Sequence, residues 1–322
     1  MTRRLAILAD PMIAVLLIAT GLALVAPAVG ETRLAAQWVS NVSIFLLFLV
    51  NGIRIARSEI PSAIGNWRFY LPLVLFVFGA MGLSGAGLGA ATAQVLPAEI
   101  ALGFIFLGVL PSTIQSATSY TTLAGGNAAL SVVGAALINI LGVFVSAPLF
   151  ALLAGGDAVD LGYQTILRIG VILLLPFVIG QALQGFVRDT VIEHKARVVW
   201  LDRIVIGIAV YVAFSGAVEM GLLETLSAGA TAWLFAVTGA FMVAAYAVAW
   251  WSAQLLGYPR GDCIAFLFAA PQKSVAIGAP MAAILFPPEM AGFVIAPLLI
   301  YHLLQLVVAA PLASRFAQQA PG

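Results

Sequence analysis

The chain has 322 residues, of which 63% are hydrophobic and 8% charged. Soluble domains carry about 25% charged residues, so a soluble enzyme is excluded. A formal net charge of +1 without a basic run gives no nucleic-acid signal, and the single cysteine, Cys263, excludes an intrachain disulfide and a cysteine-rich metal site.

The first apolar run follows Arg3 and Arg4 and ends near Ala26-Pro27-Ala28, in imitation of a secretory signal. From Pro11 to Val29 it is about 19 residues long, enough to span a bilayer, and it is read as a membrane span. Hydropathy gives ten such spans, at 10–29, 36–53, 69–92, 98–124, 127–154, 162–185, 199–218, 228–256, 262–286 and 290–314. The links are short. The longest polar one runs from Arg188 to Arg203. Two halves with five helices each are expected, residues 1–156 and 157–322.

Alternating ten spans across the bilayer puts Arg3, Arg4, Arg54, Arg57, Arg68, Arg188, Lys195, Arg197, Arg203, Arg260 and Arg315 on one side and only Arg33 and Arg168 on the other. The positive-inside rule then places both termini in the cytoplasm, as expected of a multi-pass plasma (inner) membrane protein. Five helices per half is an odd number, so a repeat of the halves has to be inverted.

The fourth span reads Leu110-Pro111-Ser112-Thr113-Ile114-Gln115-Ser116, and the ninth reads Ala270-Pro271-Gln272-Lys273-Ser274. Each has a central proline followed by a polar cluster. Proline removes a backbone hydrogen bond and opens a helix. Broken helices at matching places in inverted halves are the secondary-transporter pattern, with the binding site at the breaks. After Pro111 come Ser112, Thr113, Gln115, Ser116, Thr118, Ser119, Tyr120, Thr121 and Thr122, more polar groups than a lipid-facing helix needs. They suit a monovalent cation or a hydrogen-bonding substrate, although some hydroxyls serve only their own helix. Gly125-Gly126-Asn127 reads as a tight turn, and Asn139 as a hydrogen-bonding tie between helices.

A lysine at membrane depth costs roughly 2.5–3.5 kcal/mol on the mildest insertion scale, which marks Lys273 as functional. Three roles are open. It pairs with Asp262, the one acid on its span. It holds an organic anion with help from the half-helix N-termini. Or its ammonium replaces a bound cation against carbonyls freed by the break. No span has a carboxylate at its centre, which argues against a cation/proton antiporter. His302 reads as a packed core residue, Arg168 as an interfacial anchor, and Trp250 and Trp251 as belt residues. No nucleophile motif, phosphate loop or metal spacing is present, so neither an enzyme nor a cofactor is expected.

These residues resemble the bile acid:sodium symporter family along essentially the whole chain. The stretch Thr121-Thr122-Leu123-Ala124-Gly125-Gly126-Asn127 looks like the family's turn into its fifth helix, and Ala270-Pro271-Gln272-Lys273-Ser274 like a divergent subgroup with Gln-Lys at the ninth-helix break. The resemblance implies an all-α membrane protein of ten helices. Its discontinuous fourth and ninth helices cross in a core domain, beside a panel formed by the first, second, sixth and seventh. It also implies a small organic anion as substrate and sodium as coupling ion.

Phe268 stands where the sodium-coupled members carry an ion-binding glutamate, and Lys273 where they usually carry an asparagine. Sodium, if bound, falls near Thr118, Ser131 and Gln272; one charged ligand is lost and one fixed cation gained. The expectation is therefore an organic-anion transporter whose sodium coupling is weakened by Lys273, with Na+ or H+ as the coupling ion. Its site residues are Thr113, Gln115, Ser116, Thr118, Ser131, Gln272, Lys273 and Ser274. The rivals are a sodium symporter using hydroxyl and carbonyl ligands, a membrane scaffold that moves nothing, and a channel. The expected partners are the lipid bilayer and the substrate, with no nucleic acid or protein.

Overall fold

The computed structural model describes residues 11–55, 65–155, 167–221, 224 and 227–319. Arg3, Arg4 and Arg57 of the charge count lie outside the described residues. The described chain forms twelve helices and no strand: α1 (Pro11–Val25), α2 (Gly30–Arg54), α3 (Trp67–Thr92), α4 (Ala98–Val109), α5 (Ile114–Leu123), α6 (Ala128–Ala154), α7 (Leu167–Glu193), α8 (Lys195–Glu219), α9 (Ala228–Leu255), α10 (Arg260–Ala269), α11 (Val275–Leu285) and α12 (Pro288–Gln318). Seven of them are long and apolar enough to cross a membrane, or eight if α4 and α5, bent by 59° at their break, make one span. The ten-span expectation also counts α1 and the α10–α11 pair, which are apolar but built of shorter helices.

Helix α2 begins six residues before the predicted span, because hydropathy undervalues Glu31, Thr32 and Arg33. The Thr32 hydroxyl closes the first turn, accepting from the Val29 N–H at 3.1 Å and donating to the Val29 carbonyl at 2.7 Å. Glu31 faces the positive end of the helix dipole. The Gly125-Gly126-Asn127 turn forms as expected. Gly125 takes φ +71°, a conformation open to glycine, and the Asn127 side chain caps α6 through the Leu130 N–H at 3.3 Å. Helices α3 and α7 contain π-type segments, Leu75–Ala80 and Gly170–Leu174.

Helices α1, α2, α7 and α8 pack on one another, and α3 to α6 with α9 to α12 form a second group. Helix α8 also touches α11 and α12 of the second group. Within the first group, α2 and α7 meet backbone to backbone: a Cβ on Gly52 would overlap the Phe177 carbonyl, and one on Gly180 the Leu49 carbonyl. Within the second, Phe106, Phe150 and Phe286 stack edge to face at 5.2 to 5.8 Å. Trp250 packs on Phe316 at 4.9 Å, whereas Trp251 is exposed.

Gly180→Val forces α7 off α2 and is expected to cost about 1–3 kcal/mol. Gly79→Ala, which meets nothing within 4 Å, is expected to be neutral. Thermal unfolding of the purified variants measures both, and an unchanged midpoint for Gly180→Val contradicts this packing.

Candidate functional site at two broken helices

The first break starts at Pro111. The residue before a proline is pushed out of the helical region, and Leu110 is extended at φ −73°, ψ 149°. Thr113 is extended too, and α5 restarts after it. In the second break Ala270 stays helical, and Ser274, just before α11 starts, is extended at φ −92°, ψ 109°. The two breaks touch: the Ser274 N–H donates to the Pro111 carbonyl at 3.0 Å.

A helix that stops inside an apolar body leaves its last carbonyls without partners. Here five consecutive ones are each met from elsewhere in the chain. Lys273 Nζ donates to Gly108 O at 2.8 Å and to Leu110 O at 2.7 Å. Ser146 Oγ donates to Val109 O at 2.8 Å, the Ser274 N–H serves Pro111 O, and Asn139 Nδ2 donates to Ser112 O at 2.8 Å. The third Lys273 contact, 3.3 Å, goes to Val77 O in the π-type segment of α3. Three carbonyls thus match the three N–H bonds of an ammonium.

Polar side chains of α12 hold the second break. Gln305 clamps Lys273 twice, accepting from its N–H at 2.9 Å and donating to its carbonyl at 3.1 Å. Tyr301 Oη donates to Pro271 O at 2.7 Å. His302 Nδ1 lies 2.9 Å from Gln305 Nε2. Between the breaks, Gln272 Oε1 accepts from Thr113 Oγ1 at 2.8 Å and Ser116 Oγ at 2.6 Å, and those two hydroxyls also contact each other.

A cavity of about 430 Å³ ends at this crossing. Thr113, Ser116, Ser274 and His302 line it beside the breaks, Gln115 and Ser119 along α5, and Asn51, Arg54, Asp202 and Arg203, near the ends of α2 and α8, at its mouth. Of the expected site residues, Thr113, Gln115, Ser116 and Ser274 face the cavity. Gln272 and Lys273 lie behind them, fully buried. Ser131 is buried against Thr121 at 3.2 Å, and the Thr118 hydroxyl is buried without a hydrogen-bond partner among the described residues. Asp262 does not pair with Lys273; it accepts from Asn127 Nδ2 at 2.9 Å. Asn139 ties helices together as expected, and His302 is a buried, hydrogen-bonded residue that also reaches the cavity.

Sequence reasoning missed Gln305, Tyr301 and Ser146 at the breaks. Gln305 left a signal, since a lone amide one turn after His302 in an apolar span needs a partner. No group of three or more His, Cys, Asp or Glu able to hold a metal occurs among the described residues.

An all-helical apolar body with two broken helices meeting at the end of a cavity is the arrangement of a membrane transporter. The model of the SBF-like CPA transporter family matches residues 10–318, and the chain belongs to that family. It is 34% identical over 313 residues to a Pseudomonas aeruginosa protein of uncharacterised function, covering 96% of this chain and 92% of that one. The putative symporter YfeH of Escherichia coli K12 is 32% identical over 315 residues, covering 96% and 93%. The sodium/bile acid cotransporter 7 of Mus musculus is 23% identical over 302 residues, covering 91% and 88%. The protein is therefore an integral membrane transporter and not an enzyme.

Gln305→Leu strands the Lys273 N–H, at about 1–3 kcal/mol, and leaves the Lys273 carbonyl only the longer contact of 3.4 Å with His302 Nδ1, so it is expected to lower the unfolding midpoint clearly. Gln115→Leu, on the exposed cavity wall, is expected to leave it unchanged. Equal midpoints for the two variants contradict the clamp.

Proposed function

We propose that the chain is a ten-span secondary transporter of a small organic anion, working by alternating access, with Lys273 as a built-in cation in place of a coupling sodium. The observation that carries the reading is the cavity that ends where the two broken helices meet. In this reading residues 1–156 and 157–322 are inverted repeats, α1, α2, α7 and α8 are the panel, and the other helices are the core. The cavity runs between them.

The two ends of α2 support alternating access. At one end Arg54 and Arg203 stand at the open mouth, on the side the charge count assigns to the cytoplasm. Roughly 30 Å away, at 1.5 Å rise per residue, Arg33 contacts Glu219 of α8 at 2.6 Å and Glu289 of α12. Because α12 belongs to the core, this clasp ties panel to core at the far end. The conformation is inward-facing, and the outward-facing state requires Arg33 to release Glu289.

The ammonium of Lys273 satisfies the carbonyls that the first break frees, which supports the cation-replacement role over anion binding. Phe268, at the position of the family's glutamate, packs between Tyr120 at 5.9 Å and Tyr246 at 6.4 Å, so no carboxylate awaits an ion there. Protons remain as the coupling ion. One observation favours a second reading, a sodium symporter using hydroxyl and carbonyl ligands: the buried Thr118 hydroxyl has no hydrogen-bond partner among the described residues.

Uptake of radiolabelled cholate into proteoliposomes tests the proposal. The expected result is saturable flux whose rate stays within about twofold when potassium replaces sodium, an allowance well below the tenfold that 1.4 kcal/mol represents. Accumulation driven by a sodium gradient establishes the sodium symporter instead. Absence of saturable flux favours a scaffold, and continuous conductance in a bilayer recording a channel.

A further inference from the structure

The Lys273 ammonium is enclosed by three carbonyls and does not line the cavity, so the charge that selects an organic anion has to come from elsewhere. Two cationic side chains line the cavity among the described residues, Arg54 and Arg203. Arg54 is engaged with Asp202 at 2.7 Å. Arg203 has no carboxylate within ion-pair distance among the described residues. Among the described lining residues two arginines face one aspartate, Asp202, which pairs with Arg54 and also feels the charge of Arg203, so one positive charge is in excess.

Position and order support a receptor role. Val199, Asp202, Arg203 and Ile206 all line the cavity, at i, i+3, i+4 and i+7 of α8, so Arg203 belongs to the stripe that faces it. Its guanidinium lies 5.1 Å from the Trp200 ring centroid, a cation–π contact that orders the side chain before any ligand arrives. Guanidinium groups with free donors are the usual partners of carboxylates and sulfonates, which they meet with two parallel hydrogen bonds.

The rest of the cavity defines the rest of the ligand. Its middle is apolar, walled by Phe48, Val143, Phe177 and Ile206. Along α5, Gln115 and Ser119, one turn apart and exposed, line the cavity, and their side chains make no hydrogen bond within the described protein.

We propose that Arg203 takes the anionic group of the substrate, and that Gln115 and Ser119 on the α5 wall take its uncharged hydroxyl or amide groups. The substrate class is then a monoanion with an apolar body and separate hydrogen-bonding groups. This places the anion away from the crossing, where a lysine next to a broken helix would otherwise suggest it. The inference rests on the organic-anion reading above.

The test is equilibrium binding to the protein in lipid nanodiscs, with matched probes that differ only in charge: cholate against methyl cholate, and decanoate against decanamide. The wild type is expected to prefer an anion over its neutral partner by at least tenfold. Arg203→Gln is expected to weaken the anion by at least tenfold, leave the neutral partner unchanged, and erase the preference. Arg203→Lys, which keeps the charge and loses the fork, is expected to fall between. Thermal unfolding checks that the variants fold, and if Arg203→Gln does not, Arg203→Lys carries the same comparison. A preference retained in full by the variants overturns the role of Arg203 while leaving the organic-anion reading intact. A wild type that prefers neither anion overturns both.

Discussion

A helix that breaks inside an apolar body has to find a partner for every carbonyl it frees, and this constraint organises the centre of the molecule. The carbonyls of residues 108–112 are answered by α6 through Ser146 and Asn139, and by the second break through Lys273 and Ser274. Neither break is tenable without the other. Water cannot serve as a substitute partner in hydrocarbon, and each unmet group costs several kcal/mol. The crossing is thus a mutual solution to two local faults, and it fixes where Thr113, Ser116 and Gln272 stand.

Burying a lysine normally costs more than its hydrogen bonds return. At this position the charge has three oxygen partners already arranged by the end of α4 and by the π-type segment of α3, which is what a bound metal cation would require. A tethered cation needs no capture from solvent, whereas a sodium site has to be filled from it. Phe268 packs between Tyr120 and Tyr246, so its own surroundings are aromatic and uncharged.

Much of the fold was legible in the sequence because its signals are local. Pro111 and Pro271 announced the breaks, Gly125 the turn before α6, and the apolar runs the helices. The start of α2 was misjudged because Glu31, Thr32 and Arg33 read as a link while satisfying a helix end. The candidate site was legible in part. Lys273 stood out from its cost alone, but its partners are up to 196 residues away in sequence, and no spacing rule joins residue 273 to residue 77. Gln305 and Ser146 were hidden for the same reason. Arg203 read as one of many arginines at helix ends, and only the shape of the cavity separates it from the rest.

Thermal unfolding of Lys273→Ala in equal ionic strength of potassium, sodium or propylammonium tests the central claim most directly. A cation that occupies the emptied carbonyl cage stabilises the folded state by about 2.7 kcal/mol at a hundredfold excess over its Kd. The account predicts that propylammonium or sodium raises the midpoint of the variant, while the wild type responds to neither. A sodium-specific rise in the wild type, or a variant that no cation stabilises, would contradict the assignment of Lys273 as a built-in cation.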